Sequence, residues 1–175
     1  QAKEVLQFRV VHDDTTVRTV EVRSHLVHDE EGHAGALEAT ARDITAAADL
    51  HRHLDTLAHR DTLTGLLNRR ALLANLETRL AAGTPTSVLF CDLDGFKAVN
   101  DTHGHRVGDL VLQVVSQRLA RAVRPLDLVG RLSGDEFVVV VWDANLAEAE
   151  AIAERLVGHI EQAIPVPHST VHISA

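Results

Sequence analysis

Four acidic residues fall in two close pairs, and each pair follows or splits an apolar run. Asp92 and Asp94 follow Ser87-Val-Leu-Phe-Cys91, while Asp135 and Glu136 lie between Leu128–Leu132 and Phe137–Trp142. Adjacent carboxylates at the tip of a buried hairpin repel one another, and desolvation disfavours both charges. A bound cation offsets that cost. Oxygen donors without paired thiolates suit Mg²⁺ or Mn²⁺ rather than zinc. If the two apolar runs are neighbouring strands, the acidic pairs converge on one site. The plainer alternative is that each pair merely solvates a strand end, a common role for Asp near turns.

The residues after Asp92 extend the chemistry. Gly95, Phe96 and Lys97 read as a short turn whose successive N–H groups could cradle an anion, with Lys97 adding a cation. No GxxxxGK[ST] occurs, so this is not a P-loop. Asn100 and Asp109 offer an amide and a carboxylate. A carboxylate accepts from the N1–H and N2–H₂ groups of guanine, which adenine lacks. The histidine pairs His51/His53, His103/His105 and His28/His33 come without a cysteine cluster or HExxH, and read as surface groups rather than a zinc site. Cys91 sits within an apolar run and reads as a packing residue.

The elements that must position these groups follow from periodicity and punctuation. The run 128–142 predicts a hairpin turning at Ser133-Gly-Asp-Glu136. Asn68 caps a helix bearing Leu72, Leu73, Leu76 and Leu80, which Gly83 and Pro85 end before a strand at 87–93. Residues 94–104 read as turn-rich, and a helix follows from about Val107 to Val123. Asn145 and Glu148 form a capping pair for a helix running to Ile164, and a last strand begins near Thr170. The tight hairpin makes the sheet at least partly antiparallel, and the class α+β.

Upstream, residues 1–44 read as three antiparallel strands with turns at Asp13–Thr16 and Asp29–His33. Such a meander alone buries too little to be independent. Thr45 reads as a helix cap, and Ala47, Leu50, Leu54 and Leu57 then repeat at spacings of three, four and three. That is a coiled-coil seam about two heptads long, or the inner stripe of a docked linker helix. Net charge of -8 argues against a general nucleic-acid binder, which needs a basic face. One cysteine permits no intrachain disulfide, and no run approaches a membrane span, so the segment reads as cytoplasmic with any anchor upstream. Both ends read as cut, the last one inside a strand.

Together these residues carry a family resemblance. Asp92-Leu-Asp-Gly-Phe-Lys97, Asn100-Asp-Thr-His-Gly-His105, Gly108-Asp109 and Arg131-Leu-Ser-Gly-Asp-Glu-Phe137 resemble the GGDEF domain of diguanylate cyclases, as does the opening motif Asp61-x-Leu-Thr-Gly-x-x-Asn-Arg69. The strands ending in Arg42-Asp-Ile-Thr45 resemble the C-terminal half of a PAS sensor. The implied organisation is a partial PAS domain at 1–45, a signalling helix at 46–60 and a C-terminally truncated GGDEF domain at 61–175. The implied fold has a mainly antiparallel central sheet with flanking helices, like class III nucleotide cyclases and polymerase palms.

The resemblance also implies a reaction, condensation of two GTP into cyclic di-GMP with release of two pyrophosphates. It implies two Mg²⁺ or Mn²⁺ ions per GTP site, held by Asp92, Asp135 and the Leu93 carbonyl. Glu136 would be the second catalytic carboxylate beside Asp135, and Asn100 and Asp109 the guanine readers. His105 would be a nearby substrate contact, and Lys97 with the Gly95 and Phe96 amides the phosphate grip. Since each domain holds one GTP, a homodimer through the helix and PAS region is implied. Arg124-Pro-Leu-Asp127 matches the family's RxxD site for cyclic di-GMP feedback, separated from Ser133 by the five residues Leu128–Leu132.

Two departures bear on activity. Ser133 replaces the first glycine of the signature, losing freedom at positive φ and adding a hydroxyl near the phosphates. Basic residues that grip GTP in the family would lie beyond Ala175. The expectation is therefore a diguanylate cyclase whose isolated segment can be inactive. The alternative is a degenerate module that binds GTP or cyclic di-GMP and regulates an attached output domain, such as a phosphodiesterase.

Overall fold

The computed structural model describes residues 4–28, 34–167 and 169–175. The chain forms two compact units that divide between Asp55 and Thr56.

The first unit is an antiparallel meander of β1 (Glu4–Val11), β2 (Val17–His28) and β3 (Ala34–Asp43), followed by most of helix α1 (Thr45–His59). The β1–β2 connection is the turn expected at 13–16, closed by His12 N–H donating to the Thr16 carbonyl at 2.8 Å. The expected turn at Asp29–His33 lies outside the described residues. Thr45 is the first helical residue rather than the cap. Its N–H and hydroxyl both donate to Asp43, at 2.9 and 2.6 Å, so the aspartate supplies the capping oxygen. No described residue of this unit is buried. Phe8, Leu26 and Leu37 stand exposed on the strands, and Leu50 and Leu54 on α1.

The second unit holds a four-stranded sheet in the order β4 (Leu67–Asn68), β6 (Leu128–Ser133), β7 (Glu136–Trp142), β5 (Thr86–Asp92). β6–β7 and β7–β5 are antiparallel, and the short β4–β6 pairing is parallel. The run Phe137-Val-Val-Val-Val-Trp142 is central and covered on both faces, which explains its lack of polar alternation. Phe137, Val139 and Val141 pack into the cluster formed with α4 (His105–Ala122) and α5 (Leu146–Ile160). Val138, Val140 and Trp142 meet Leu72 of α2 (Arg69–Ala81) on the other face. Arg79 stacks 4.7 Å over the Trp142 ring.

Local punctuation sets the helix ends. Asn68 caps α2 by accepting from Ala71 N–H at 2.9 Å, and its amide donates to the Ala58 carbonyl at 3.1 Å. Asn145 and Glu148 form a reciprocal capping box at α5. That helix stops at Ile160, short of the expected Ile164. Pro165 forces its predecessor into extended conformation. The Arg118 guanidinium gathers the carbonyls of Ile160, Gln162 and Ala163 at 3.1, 2.6 and 2.9 Å. Ile164–Val166 (β8) then pairs with Ser169–Val171 (β9) in a separate hairpin. The stretch expected to be turn-rich contains a helix, α3 (Phe96–His103). No helix among the described residues is long and apolar enough to cross a membrane.

Candidate active site

Strand pairing brings the first carboxylates together. Asp92, the last residue of β5, is the register partner of Glu136, the first of β7. Asp135 precedes Glu136 in the turn, where Gly134 takes φ +45°. Asp92 and Glu136 are exposed and Asp135 is half-buried. The carboxylates therefore sit on the solvent-facing rim of a buried hairpin, and the large desolvation cost expected from sequence is not incurred. Asp94 does not join them. Its N–H donates to the Ser174 carbonyl at 2.9 Å, and its carboxylate accepts from the Ser174 hydroxyl at 3.4 Å.

The substituted signature residue behaves differently from expectation. Ser133 is not at positive φ, so the missing glycine costs nothing there. Its hydroxyl donates to Glu136 Oε2 at 2.6 Å. The hydroxyl thus engages the second carboxylate of the site.

Arg131 braces this turn. Its Nε donates to the Gly134 carbonyl at 2.8 Å and its Nη1 to Asp61 Oδ1 at 3.1 Å. Burial pushes the Asp61 carboxyl upward. The Thr64 hydroxyl and amide and the Arg131 guanidinium outweigh it and hold Asp61 below the ordinary aspartate value. Both residues occur in the sequence motifs, but nothing local signals that two groups so far apart are partners.

Beyond β5 the chain prepares a different surface. Leu93 is buried, and its carbonyl accepts from Phe96 N–H at 3.3 Å, leaving a second lone pair. Gly95 adopts φ +79° as the N-cap of α3, a conformation that strains residues with a Cβ. Lys97 is exposed in the first turn of α3, where N–H groups lack intrahelical partners. The Phe96 side chain belongs to the core and its N–H is engaged by the Leu93 carbonyl, so the expected phosphate contact from this residue is not free. Half-buried Asn100 lies in the second turn of α3, while exposed His105 and Asp109 lie at the start of α4. Gly108, which the sequence offers only as part of the Gly108-Asp109 motif, is buried between them inside the helix.

Cys91 packs as expected. Burial first, and then the Asp92 charge, push its thiol up to about 11. The RxxD residues lie at the opposite end of β6, six residues or roughly 20 Å from the signature turn. Asp127 accepts from the N–H groups of Arg124 and Trp142 at 3.0 and 3.3 Å, so it locks the turn rather than pairing with the Arg124 side chain. Arg124 itself is exposed on a groove of about 390 Å³ shared with Arg60 and Leu66.

Among the described residues, no three His, Cys, Asp or Glu side chains enclose an ion unaided. Asp92, Asp135 and Glu136 are nevertheless oxygen donors of the kind a hard divalent cation takes, its shell being completed by water and phosphate. The residues fit such an ion. Lys97 puts a cation at the start of α3, and the Asn100 side chain lies against Gly108, the residue before Asp109.

The GGDEF domain family of diguanylate cyclases matches residues 58–175. The bifunctional diguanylate cyclase/cyclic di-GMP phosphodiesterase MucR of Pseudomonas aeruginosa is 43% identical over 135 residues, which cover 75% of this chain and 20% of MucR. The response regulator PleD of Caulobacter vibrioides is 46% identical over 112 residues, covering 62% of this chain and 25% of PleD. The coiled coil and GGDEF domain of DgcB from Caulobacter crescentus, solved in complex with c-di-GMP, superposes with a TM-score of 0.65 at 25% identity. That alignment covers 74% of this chain and 73% of the DgcB chain. This chain belongs to the diguanylate cyclase GGDEF-domain family. It spans only a fifth to a quarter of the length of the two curated relatives.

Proposed function

We propose that the protein condenses two GTP into cyclic di-GMP and two pyrophosphates. The observation that carries this reading is the β5–β7 register, which sets Asp92 opposite Glu136 with Asp135 beside it. The 3′-hydroxyl of one GTP attacks the α-phosphorus of the other. A new P–O bond forms, the bond to pyrophosphate breaks, and the hydroxyl proton passes to Glu136. Asp92, Asp135 and the Leu93 carbonyl would hold Mg²⁺ or Mn²⁺, which acidifies a hydroxyl and stabilises phosphate charge when bound. Lys97 and the first-turn amides of α3 receive the phosphates. Asn100 and Asp109 read the guanine, with His105 near it.

One domain holds one GTP, so turnover needs a second copy. Leu50 and Leu54 on α1, 59% and 54% exposed, support pairing of two chains through this helix. The three strands before it act as the C-terminal part of a PAS sensor that sets the geometry of the pair. Arg124 receives the product cyclic di-GMP and limits turnover, an Arg–phosphate contact. The assembly works on the cytoplasmic side, where GTP is supplied.

A second reading is favoured by the Ser133–Glu136 hydrogen bond, which ties up a catalytic carboxylate. On that reading the domain binds GTP or cyclic di-GMP without efficient turnover and regulates an attached output. Incubation of the full-length protein with GTP and Mg²⁺ decides between them. Formation of cyclic di-GMP supports the cyclase; GTP binding without product supports the sensor.

A further inference from the structure

We infer that Gly108 is a specificity-positioning residue: its missing side chain lets the Asn100 amide stand where it reads the nucleobase. This rests on the guanine-reading role proposed above for Asn100 and Asp109. Gly108 is the fourth residue of α4 and is buried. Its backbone makes no demand for glycine, because its φ is not positive. Inside a helix, glycine is the less stable choice relative to alanine. The reason for a glycine must therefore be space.

A Cβ at this position would overlap Asn100 Oδ1 outright and come within 3.0 Å of Asn100 Cγ and 3.3 Å of Phe96 Cζ. The three atoms differ in what they can do. Phe96 is held in the core, whereas Asn100 Oδ1 is the end of a rotatable side chain. The Asn100 main chain is fixed too, since its carbonyl accepts from Gly104 N–H at 2.8 Å. A methyl group at 108 would be accommodated by turning the Asn100 amide away while the helices stay in place. Asp109 is the next residue on α4 and exposed, so its carboxylate would keep its position. Only half of the base-reading pair would be lost.

The halves read different atoms. The carboxylate accepts from guanine N1–H and N2–H₂, leaving the amide to address the O6/N7 edge, where adenine presents an amino group instead of O6. Loss of the amide therefore weakens discrimination at that edge and spares recognition of the 2-amino group.

The test uses full-length protein carrying Gly108→Ala, Asn100→Ala or both, with equilibrium binding of the α,β-methylene analogues of GTP, ITP and ATP, and melting temperatures. Gly108→Ala is expected to melt within about 2 °C of the wild type or above it, since alanine favours the helix. Its affinity for the GTP analogue should fall about tenfold, the scale of one lost hydrogen bond. Its GTP-to-ATP discrimination should fall with it, while the GTP-to-ITP ratio holds. In the Asn100→Ala background, adding Gly108→Ala should change binding by less than about twofold.

Wild-type binding and discrimination by Gly108→Ala would overturn the inference. So would a melting loss that Asn100→Ala does not relieve, which would place the collision in the core. If Asn100→Ala alone keeps full discrimination, the base-reading assignment falls and this inference with it. If Asn100→Ala abolishes discrimination and Gly108→Ala does not, only the inference falls.

Discussion

Arg131 and Asp61, 70 positions apart, form an ion pair at 3.1 Å, and the same guanidinium holds the Gly134 carbonyl at 2.8 Å. One side chain thus joins the first turn of the GGDEF domain to the tip of its signature hairpin. The side chains are only 13% and 23% exposed, so water competes poorly for the bond.

Replacing Arg131 with Ala should cost about 1–3 kcal/mol of stability, because a partly buried carboxylate and a carbonyl lose their donor. Turnover should fall further than stability, since the turn carrying Asp135 loses its brace. Arg131→Lys should restore little, because an ammonium lacks the planar fork. Thermal melting beside a cyclic di-GMP assay checks this; a lysine variant as active as the wild type would refute it.

Asp61 makes acid stability testable. Its folded pKa lies below the unfolded value, so its contribution is fully present above about pH 4 and is lost as pH falls through the lower folded value. Asp14, Glu21 and Asp43 are lowered as well, so the informative quantity is a difference between proteins. The melting-temperature gap between wild type and Asp61→Asn should be constant from pH 7 to 5 and close as pH drops below about 4. A gap that stays constant down to pH 2 would count against the assignment.

Ser133→Gly should release Glu136 and raise the initial rate about two- to tenfold, the range of one modest hydrogen bond. Added backbone freedom should lower stability by about 0.5–1 kcal/mol. Initial-rate assays at saturating GTP read the first effect and denaturant melts the second. A rate equal to or below wild type means that the hydroxyl does not restrain the carboxylate.

Arg124→Ala should relieve product inhibition with the initial rate within about twofold of wild type, because the site lies roughly 20 Å from the signature turn. Progress curves with added cyclic di-GMP measure this. Inhibition of unchanged strength would place the feedback elsewhere.

How much of this was legible in the sequence depends on how local each signal is. The hairpin, the Asn68 cap and the Asn145–Glu148 box are written within a few residues, and the structure has them as expected. That the two acidic pairs converge was legible only on the condition that their apolar runs are neighbouring strands; the β5–β7 register meets that condition for Asp92 and Glu136. Helix α3 was obscured because it is eight residues long, rich in polar side chains, and starts from a glycine that offers no capping oxygen. The Arg131–Asp61 bond and the turning of Asp94 toward Ser174 join distant positions, and no local pattern encodes them. Gly108 left a trace, since a glycine inside a helix asks for a reason.

The β5–β7 pairing also fixes when in folding the carboxylate rim comes into being. Asp92 and Glu136 are 44 positions apart (136 − 92), and α3 and α4 lie between them. Closing that loop precedes any gain from the contacts it brings, so the ladder belongs to the slow, non-local part of folding. Asp92 ends β5, which occupies the edge of this sheet. Transient opening there would separate the carboxylates while the helices stay folded. Hydrogen exchange should find β5 amides less protected than those of β7 or α4. Equal protection across the three would mean that the rim and the core open only together.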